Sequence, residues 1–342
     1  MKLLIITQVI DKNHPVLGFF HRWVEEFAVH CEHVHVICLQ KGVFDLPVNV
    51  TVHSLGKEAG VSRATYLWRF YKNIWRLRHE YDSVFVHMNQ QYVILGAPLW
   101  RILGKRVGLW YAHGMVTNSL KLSLKLSNFV FTSTEQGMRI NSVKRIIVGQ
   151  GIDVNIFNTV QKKQNSVLQL ITVGRVSQSK NIETLLKACY LLKEKNFSYH
   201  FRIVGIPTTE RESLYSREMH KLSKNLNLQK EVEWVGAVSN HVLPSLLQQS
   251  DVFIHDGSTN SLDKALVEAS LCGCTVLSSN PSYKALTIEM VPQYLYNQGD
   301  STKLADILLN LSEDSTASAL IRDRFLRNFN ITSLVARIVS KY

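Results

Sequence analysis

The sequence predicts an α/β protein made of two doubly wound domains, each built on a parallel β-sheet. Short apolar segments rich in β-branched residues alternate with longer helical ones through the chain, which is typical of strands buried on both faces. The alternation of strand and helix segments is interrupted by the polar stretch 161–167 and resumes after it. A chain of 342 residues also exceeds what one hydrophobic core usually supports. We therefore predict domains over 1–160 and 161–325, joined by a linker at 161–167.

The first half contains seven predicted strands. They are 3–7, 33–38, 50–54, 83–87, 107–111, 129–132 and 145–148. Helical segments between them include 19–30, 65–80 and 94–103. One segment is ambiguous: between residues 120 and 126 leucines alternate with polar residues as in a strand, while Lys121 and Lys125 share one helix face. We predict a helix there.

The second half repeats the alternation. Its predicted strands are 169–173, 200–204, 231–234, 252–255, 275–278 and 293–295, and its helices include 181–195 and 211–225. The tail has a helical pattern, and we expect 326–342 to pack back on the N-terminal domain. Sheets of this kind bind ligands at the carboxyl ends of their strands. We therefore expect the ligand site in a cleft where the two sheets face each other.

Composition and charge narrow the class of partner. The net charge of +12 and the pI near 9.4 indicate an anionic partner, and nucleic acid, an acidic membrane face and phosphorylated small molecules all fit. The five cysteines lack the paired spacing of a zinc site, so we predict free buried thiols in a reducing cytoplasm. No window of about 18 uninterrupted apolar residues occurs, so membrane contact is expected to be peripheral.

A phosphate site is predicted where Gly174 and Arg175 end a strand and Lys180 opens the next helix. A phosphate there would meet backbone amides, a helix N-terminus and two cations. Arginine offers a forked donor, whereas lysine offers a point charge. An ordinary strand–helix loop with surface cations has the same composition, so the pattern alone leaves both interpretations open.

A second candidate site follows the strand that ends at His255. Ser261 is a good helix N-cap, so the amides of Leu262, Asp263 and Lys264 are expected at the helix start, where they could hold a diphosphate. Glu268 lies further along the same helix, where a carboxylate can accept hydrogen bonds from ribose hydroxyls. A surface glutamate on an amphipathic helix is the alternative interpretation.

The N-terminal half offers His113 and Gly18. His113 precedes Gly114 just after a strand, where an imidazole could bind a sugar hydroxyl or assist proton transfer. A core histidine is the alternative, and it is the interpretation we favour for His14, His87 and, with less weight, His255. Gly18 follows the first strand and would permit close approach of a ligand.

The order of these motifs resembles glycosyltransferase family 4, whose members are retaining enzymes of the GT-B fold, with two Rossmann-like domains facing each other across a cleft. The resemblance covers nearly the whole chain. It includes the His-Gly turn at 113–114, the Gly-Gln-Gly-Ile-Asp run at 149–153, the Gly-Arg…Lys loop at 174–180 and the Glu-Ala-x-x-x-Gly helix end at 268–273. The last two motifs are the most specific, because their order and spacing agree together.

The resemblance implies a role for each candidate residue. Arg175 and Lys180 would bind the donor diphosphate and stabilise the leaving nucleotide, Glu268 would hold the ribose, and His113 would touch the transferred sugar. The other donor-binding positions would be Gly18, Gly174, Gly236, Asn260, Leu262, Asp263 and Lys264. The donor would be a nucleoside-diphosphate sugar, used as a substrate without a bound metal or other cofactor, and the acceptor is unidentified. Similar enzymes often act on cell-envelope glycans or lipid-linked saccharides.

One position departs from the family pattern. The family often has two glutamates seven residues apart, and here Asn260 occupies the first position. Asparagine can still hydrogen-bond a sugar hydroxyl, but it is neutral. A catalytically weak or inactive sugar-nucleotide-binding protein therefore remains an alternative, as does a sugar-nucleotide epimerase of the same fold.

The basic segment 63–78 interleaves aromatic residues with arginines. Such a helix could lie on an anionic membrane surface. It could equally pack its aromatic residues on the sheet and leave its arginines in solvent. Nucleic-acid binding would use the same charge, but no nucleic-acid-binding motif appears, so we predict no nucleic-acid partner.

Overall fold

The computed structural model describes residues 1–14, 16–161, 166–311 and 315–342, and the side chains of residues 315 and 316 are excluded. The chain divides into two compact units. The first unit comprises Met1–Asp153 together with Asn328–Tyr342, and the second comprises Val154–Arg327. Of the predicted linker at 161–167, residues 162–165 lie outside the described residues.

The first unit contains a seven-stranded sheet in which every pairing is parallel. Its strands are β1 (Lys2–Ile10), β2 (His33–Lys41), β3 (Val50–Ser54), β4 (Ser83–His87), β5 (Arg106–Trp110), β6 (Phe129–Thr132) and β7 (Arg145–Ile147). Their spatial order is β3-β2-β1-β4-β5-β6-β7. The helices between them are α1 (Phe19–His30), α2 (Arg63–Arg76), α3 (Gln90–Ile102) and α4 (Asn118–Leu126), with a 3-10 turn at Lys57–Ala59.

The second unit contains a five-stranded parallel sheet in the order β10-β9-β8-β11-β12. Its strands are β8 (Leu168–Val173), β9 (Tyr199–Val204), β10 (Val232–Gly236), β11 (Val252–His255) and β12 (Thr275–Ser278). Its helices are α5 (Ile182–Glu194), α6 (Glu210–Asn225), α7 (Leu243–Gln248), α8 (Lys264–Leu271), α9 (Pro281–Thr287), α10 (Ser301–Leu309) and α11 (Ser315–Phe329), with 3-10 turns at Gln178–Lys180 and Pro292–Tyr294.

A final helix, α12 (Ile331–Val339), belongs to the first unit. Its apolar face, including Ile331 and Leu334, shares a core with α1. The amide of Ile331 donates to the Ile152 carbonyl at 3.0 Å, and the Tyr342 hydroxyl donates to the Val84 carbonyl at 2.8 Å. Gly108 leaves room for that tyrosine, because a Cβ there would lie 2.2 Å from the hydroxyl oxygen. The chain therefore returns to complete the core of its first sheet.

Parallel sheets with helices in alternation confirm the predicted fold class. Segment 118–126 is helical, as predicted, because Thr117 accepts a hydrogen bond from the Leu120 amide and caps α4. The predicted strand at 293–295 is wrong. Pro292 begins a 3-10 turn there, and Leu295 forms only an isolated bridge with Ser278. None of the helices in the described ranges combines the length and apolar character that a bilayer crossing requires.

Candidate functional site

Three neighbouring strands of the second unit end in glycine. Gly174 follows β8, Gly205 follows β9 and Gly236 ends β10, all with positive φ. The Gly174 amide donates to the Val204 carbonyl at 2.9 Å, and the Gly205 amide donates to the Gly236 carbonyl at 2.8 Å. A Cβ on Gly205 would lie 1.9 Å from the Gly174 carbonyl oxygen, so only glycine fits. Gly205 was not among the predicted site residues, although the recurrence of glycine after successive strands is a signal that could have identified it.

Arg175 and Lys180 both lie at this edge and both contact carboxylates. Arg175 is about half exposed, and its Nη1 lies 2.8 Å from Glu212 Oε1. Burial alone would raise the pKa of Glu212, but hydrogen bonds from Thr208 and the charge on Arg175 outweigh it and lower the pKa. The Lys180 ammonium contacts the Asp263 carboxylate.

The charge state of Lys180 reflects opposing influences. Burial, together with the positive charge on Arg175, lowers the pKa of Lys180 to about 8. The carboxylate of Asp263 acts in the opposite direction, because an adjoining negative charge favours the ammonium. Lys180 is therefore mainly charged at neutral pH. A Cβ on Gly174 would lie 2.9 Å from Lys180 Cε, so this glycine also gives the lysine side chain its room.

Asp263 joins three parts of the site. Besides contacting Lys180, its Oδ2 lies 3.2 Å from Nε2 of His255, and its Oδ1 accepts a hydrogen bond from the Ala265 amide at 3.3 Å. His255 is almost fully buried at the end of β11. One carboxylate thus connects the loop after β8, the end of β11 and the first turn of α8.

The protonation of His255 follows from its neighbours. Its Nδ1 accepts a hydrogen bond from the Gly257 amide at 3.3 Å, so Nε2 carries the proton and donates to Asp263. Burial, and next the charge on Lys180, hold the pKa of His255 well below its usual 6.5. The imidazole is therefore neutral. His255 is a buried core histidine, as favoured from the sequence, and it also orients a carboxylate of the candidate site.

The predicted start of α8 is wrong by two residues. We expected Ser261 to cap the helix, but Asp263 is the N-cap and α8 begins at Lys264. Leu262 and Asp263 therefore precede the first helical turn. Serine and aspartate are similarly good caps, and the contacts of Asp263 with Lys180 and His255 favour the later position.

The loop between β11 and α8 is held from both sides. The Ser258 amide donates to the Ser179 carbonyl at 2.8 Å. From the other side, the buried Asn280 donates to the carbonyls of Thr259 and Ser261 at 2.9 and 3.1 Å. These bonds keep the Asn260 segment beside the Gly-Arg…Lys loop.

A second buried carboxylate, Asp256, supports the same region. Its Oδ2 accepts from Asn181 at 2.7 Å, and its Oδ1 accepts from Ser279 at 2.6 Å. Asn181 directly follows Lys180, has positive φ and occupies the N-cap of α5. Asp256 therefore fixes the backbone on which Lys180 is carried.

Glu268 lies one turn into α8 and is 2% exposed. Its Oε1 lies 2.5 Å from the Lys264 ammonium, although the two groups are not aligned as a hydrogen bond. A buried carboxylate held by one cation can accept hydrogen bonds from a hydroxyl-bearing ligand. We name Arg175, Lys180, Asp263, Lys264 and Glu268, with the three glycines, the strand-end cluster.

The first unit carries the remaining predicted residues. His113 is exposed after β5, and its amide donates to the Gly137 carbonyl at 3.0 Å. Gly18 caps α1, and a Cβ there would lie 2.7 Å from the His14 carbonyl oxygen. His14 stabilises this turn, because its Nδ1 accepts from the Leu17 amide at 3.0 Å. His87, by contrast, is a core residue, and burial lowers its pKa to about 3.

The strand-end cluster has the chemistry of a diphosphate site: cations of two kinds, glycine backbone and a helix start at the carboxyl ends of parallel strands. The family described as Glycosyl transferases group 1 matches residues 155–325, which is half of the chain. The protein therefore belongs to the group 1 glycosyl transferases, enzymes with the GT-B arrangement of two Rossmann-like domains.

Similar proteins agree with this assignment. WcaL of Escherichia coli K12, named for colanic acid biosynthesis, is 28% identical over 174 residues, which cover 48% of this chain and 41% of WcaL. The amylovoran biosynthesis glycosyltransferase AmsK of Erwinia amylovora is 26% identical over 175 residues, covering 49% of this chain and 42% of AmsK. The chain thus spans less than half the length of either relative.

Solved structures agree on the fold. The structure of Anabaena HepE in complex with UDP-glucose superposes with a TM-score of 0.79 at 17% identity, covering 100% of both chains. At this identity the similarity concerns the fold alone. It extends over both units of the chain.

Proposed function

We propose that this protein transfers a sugar from a nucleoside-diphosphate sugar to a cell-envelope glycan or lipid-linked saccharide, with retention of configuration and without a bound metal, as in glycosyltransferase family 4. The observation that carries the proposal is the contact of Lys180 with Asp263, which joins the Gly-Arg…Lys loop to the start of the Glu268 helix. The relatives named for colanic acid and amylovoran biosynthesis support an envelope acceptor. All five cysteines are described and buried, and none of them forms a disulfide, which supports a cytoplasmic location.

The donor diphosphate would bind to Arg175 and Lys180. Both cations are held by carboxylates, so each is already oriented before the ligand arrives. The half-exposed Arg175 can turn from Glu212 towards a phosphate at little cost, because exposed ion pairs contribute little. The glycine backbone at Gly174 and Gly236 allows close approach of the nucleotide.

The remaining donor contacts would come from the α8 region and the first unit. Glu268 would accept hydrogen bonds from the ribose, and Asn260 would face the donor sugar. The backbone from Leu262 to Lys264 would hold the phosphate nearest the sugar. In the first unit, Gly18 would lie near the donor, and the exposed His113 would contact the transferred sugar.

Catalysis would depend on stabilising the leaving nucleotide. As the bond from the sugar to the diphosphate breaks, negative charge grows on the phosphate oxygen, and Arg175 and Lys180 stabilise it more strongly than they do the intact donor. These fixed cations would fulfil the role that a divalent metal has in other transferases. Retention would follow front-side attack, with the donor phosphate accepting the acceptor's proton. The anomeric configuration of the product, measured by NMR, tests this step.

Nucleotide binding tests the donor site directly. Calorimetry and thermal unfolding with UDP, GDP and ADP, each in EDTA, should reveal one nucleotide that binds and raises Tm. The Lys180→Ala variant should bind it more weakly, while the exposed Lys221→Ala variant of α6 should bind it normally. Binding that requires magnesium would contradict metal independence. No binding under either condition would favour a degenerate scaffold.

A sugar-nucleotide-binding protein without transferase activity is the second candidate. The neutral Asn260 motivates it, because a glutamate is common at that position in the family. Such a protein would bind the nucleotide in EDTA but would neither hydrolyse nor transfer the donor sugar. Turnover measured with the nucleotide that binds separates the two candidates.

A further inference from the structure

The outer face of α2 exposes large apolar side chains. Phe70 and Ile74 pack into the core, but Trp68 is 59% exposed and Trp75 is 53% exposed. Leu67 and Tyr71 lie on the same exposed stripe at 42% and 40%. The sequence left open whether the aromatic residues of this segment pack on the sheet, and both tryptophans lie outside. Two exposed tryptophans seven residues apart project from one side of a helix.

Cations accompany both tryptophans. The Lys72 ammonium lies 4.7 Å from the Trp68 ring centroid, and the Arg78 guanidinium lies 4.4 Å from that of Trp75. No carboxylate of the described residues forms an ion pair with a cation of α2. The helix therefore presents aromatic and positively charged groups side by side, with uncompensated charge.

The same unit also carries a basic cavity, which contacts the buried side of α2 through Tyr81. The Lys105 ammonium lies 5.0 Å from the ring centroid of Tyr81, and the Tyr81 hydroxyl donates to the Ile74 carbonyl of α2 at 3.0 Å. Lys105 also lines a cavity of about 390 Å³ with four other cations and no acidic residue; these cations are Arg101, Arg106, Lys125 and Lys144. Ile102, beside Arg101, is 83% exposed.

Charge is concentrated on this part of the chain. Residues 61–134 contain ten Lys and Arg against two acidic residues, a net charge of +8 out of the +12 of the whole chain. None of these cations belongs to the strand-end cluster. The donor site therefore does not account for the basic character of the protein.

We propose that this surface docks on an anionic phospholipid bilayer. We name it the basic aromatic face; it comprises Leu67, Trp68, Tyr71, Lys72, Trp75, Arg78 and Ile102, and the five cations of the cavity add to the positive charge of the same unit. The side chains of tryptophan and tyrosine have an apolar body and one polar group, so they suit the headgroup region of a bilayer. Lysine and arginine attract anionic lipids. Leu67 and Ile102 bury surface in acyl chains but cannot stack on bases, which favours lipid over nucleic acid. The proposal does not depend on the donor site.

Vesicle flotation of the full chain is the test. With phosphatidylcholine vesicles that contain phosphatidylglycerol, the protein should float at about 0.01 M salt and be released at about 1 M. Between these two concentrations the Debye length falls from about 30 to about 3 Å, so the attraction between charges is screened. Vesicles of phosphatidylcholine alone should bind it weakly. Tryptophan fluorescence should shift to shorter wavelength with anionic vesicles.

Paired variants identify the surface. Lys72→Gln with Arg78→Gln should weaken binding at low salt about 25-fold, since each cation near an anionic surface contributes about fivefold. The matched control is Lys221→Gln with Lys224→Gln on α6, which removes the same charge from the second unit. Trp68→Ser with Trp75→Ser should weaken binding at least tenfold, because two apolar anchors are lost. Its control is Leu214→Ser with Leu320→Ser, which are 51% and 55% exposed.

Three results would overturn the proposal. One is the absence of flotation with anionic vesicles at low salt while circular dichroism shows a folded protein. Another is an equal loss in the test and control variants, which would indicate non-specific charge attraction. The third is binding of single-stranded RNA that is lost in the same variants while vesicles are not bound, which would assign the face to nucleic acid.

Discussion

The two units share an architecture of parallel strands and covering helices, but they differ in how their charges are arranged. The first has twenty Lys and Arg against ten Asp and Glu, a net charge of +10, whereas the second has nineteen against seventeen, a net charge of +2. In the strand-end cluster each cation lies against a carboxylate. Such pairing fixes where a charge points, whereas the unpaired charge of the first unit acts over distance and weakens with salt.

The largest expected effect concerns the paired cations. Arg175→Ala and Lys180→Ala should each lower kcat/KM by a factor of at least 100, equivalent to about 3 kcal/mol of transition-state stabilisation. Arg211→Ala is the control, because Arg211 is exposed near the same loop and contacts Gln178. Steady-state kinetics with the preferred donor are the measurement. Unchanged turnover in both variants would show that the paired cations of the strand-end cluster do not stabilise the transition state, and would contradict the prediction.

Lowering the pH should destabilise the first unit more than the second. Burial lowers the pKa of His87 to about 3, and burial together with the neighbouring His33 and His53 lowers that of His35 to about 4. Below the ordinary pKa of 6.5 the unfolded chain binds these protons and the folded chain does not, so stability falls as pH decreases from about 6.5 towards 4. For His87 the loss is about 2 kcal/mol at pH 5.

Hydrogen exchange at pH 7.5 and pH 5 measures this difference, after correction for the intrinsic pH dependence of exchange. Among the described residues, His21, His35, His53 and His87 of the first unit have lowered pKa values, against His220 and His255 in the second. Protection should therefore fall more in the first unit. The His87→Phe variant should have a shallower dependence of stability on pH. A greater loss of protection from exchange in the second unit than in the first would contradict this prediction.

The smallest expected effect is on the nucleotide affinity of Asn260→Glu. The Asn260 carbonyl accepts from Ser282, and Asn280 holds the carbonyls on either side, so the backbone should tolerate the change. We expect the preference among donor sugars to change and the Kd for the nucleotide to stay within about threefold, or about 0.7 kcal/mol. Competition assays with several sugars on one nucleotide provide the measurement. A large loss of nucleotide affinity would place this position at the nucleotide instead of the sugar.

Sequence reasoning succeeded where a regular pattern was long enough to measure. The apolar strands predicted the fold class, and lysine spacing correctly favoured the helix at 118–126. The short helices α7, α9 and α10 were not predicted, because one to three turns provide too little periodicity. The basic segment was ambiguous because a helical period does not reveal which aromatic residues face inward.

The candidate site was partly predictable for a different reason. Arg175, Lys180 and Glu268 belong to motifs with defined spacing, and the structure brings the loop that carries the first two to the helix that carries the third. The N-cap was misassigned because Ser261 and Asp263 have similar local propensity, and tertiary contacts decide between them. The contact of His255 with Asp263 crosses an irregular loop, for which no sequence period exists.

The position of α12 has a consequence for how the molecule is made. Its apolar face closes the core beside α1, yet the whole second unit lies between them in the chain. During translation the second unit is therefore complete before the first, whose α1 surface stays uncovered until residues 328–342 emerge from the ribosome. The first unit therefore finishes folding only after the second unit has been synthesised.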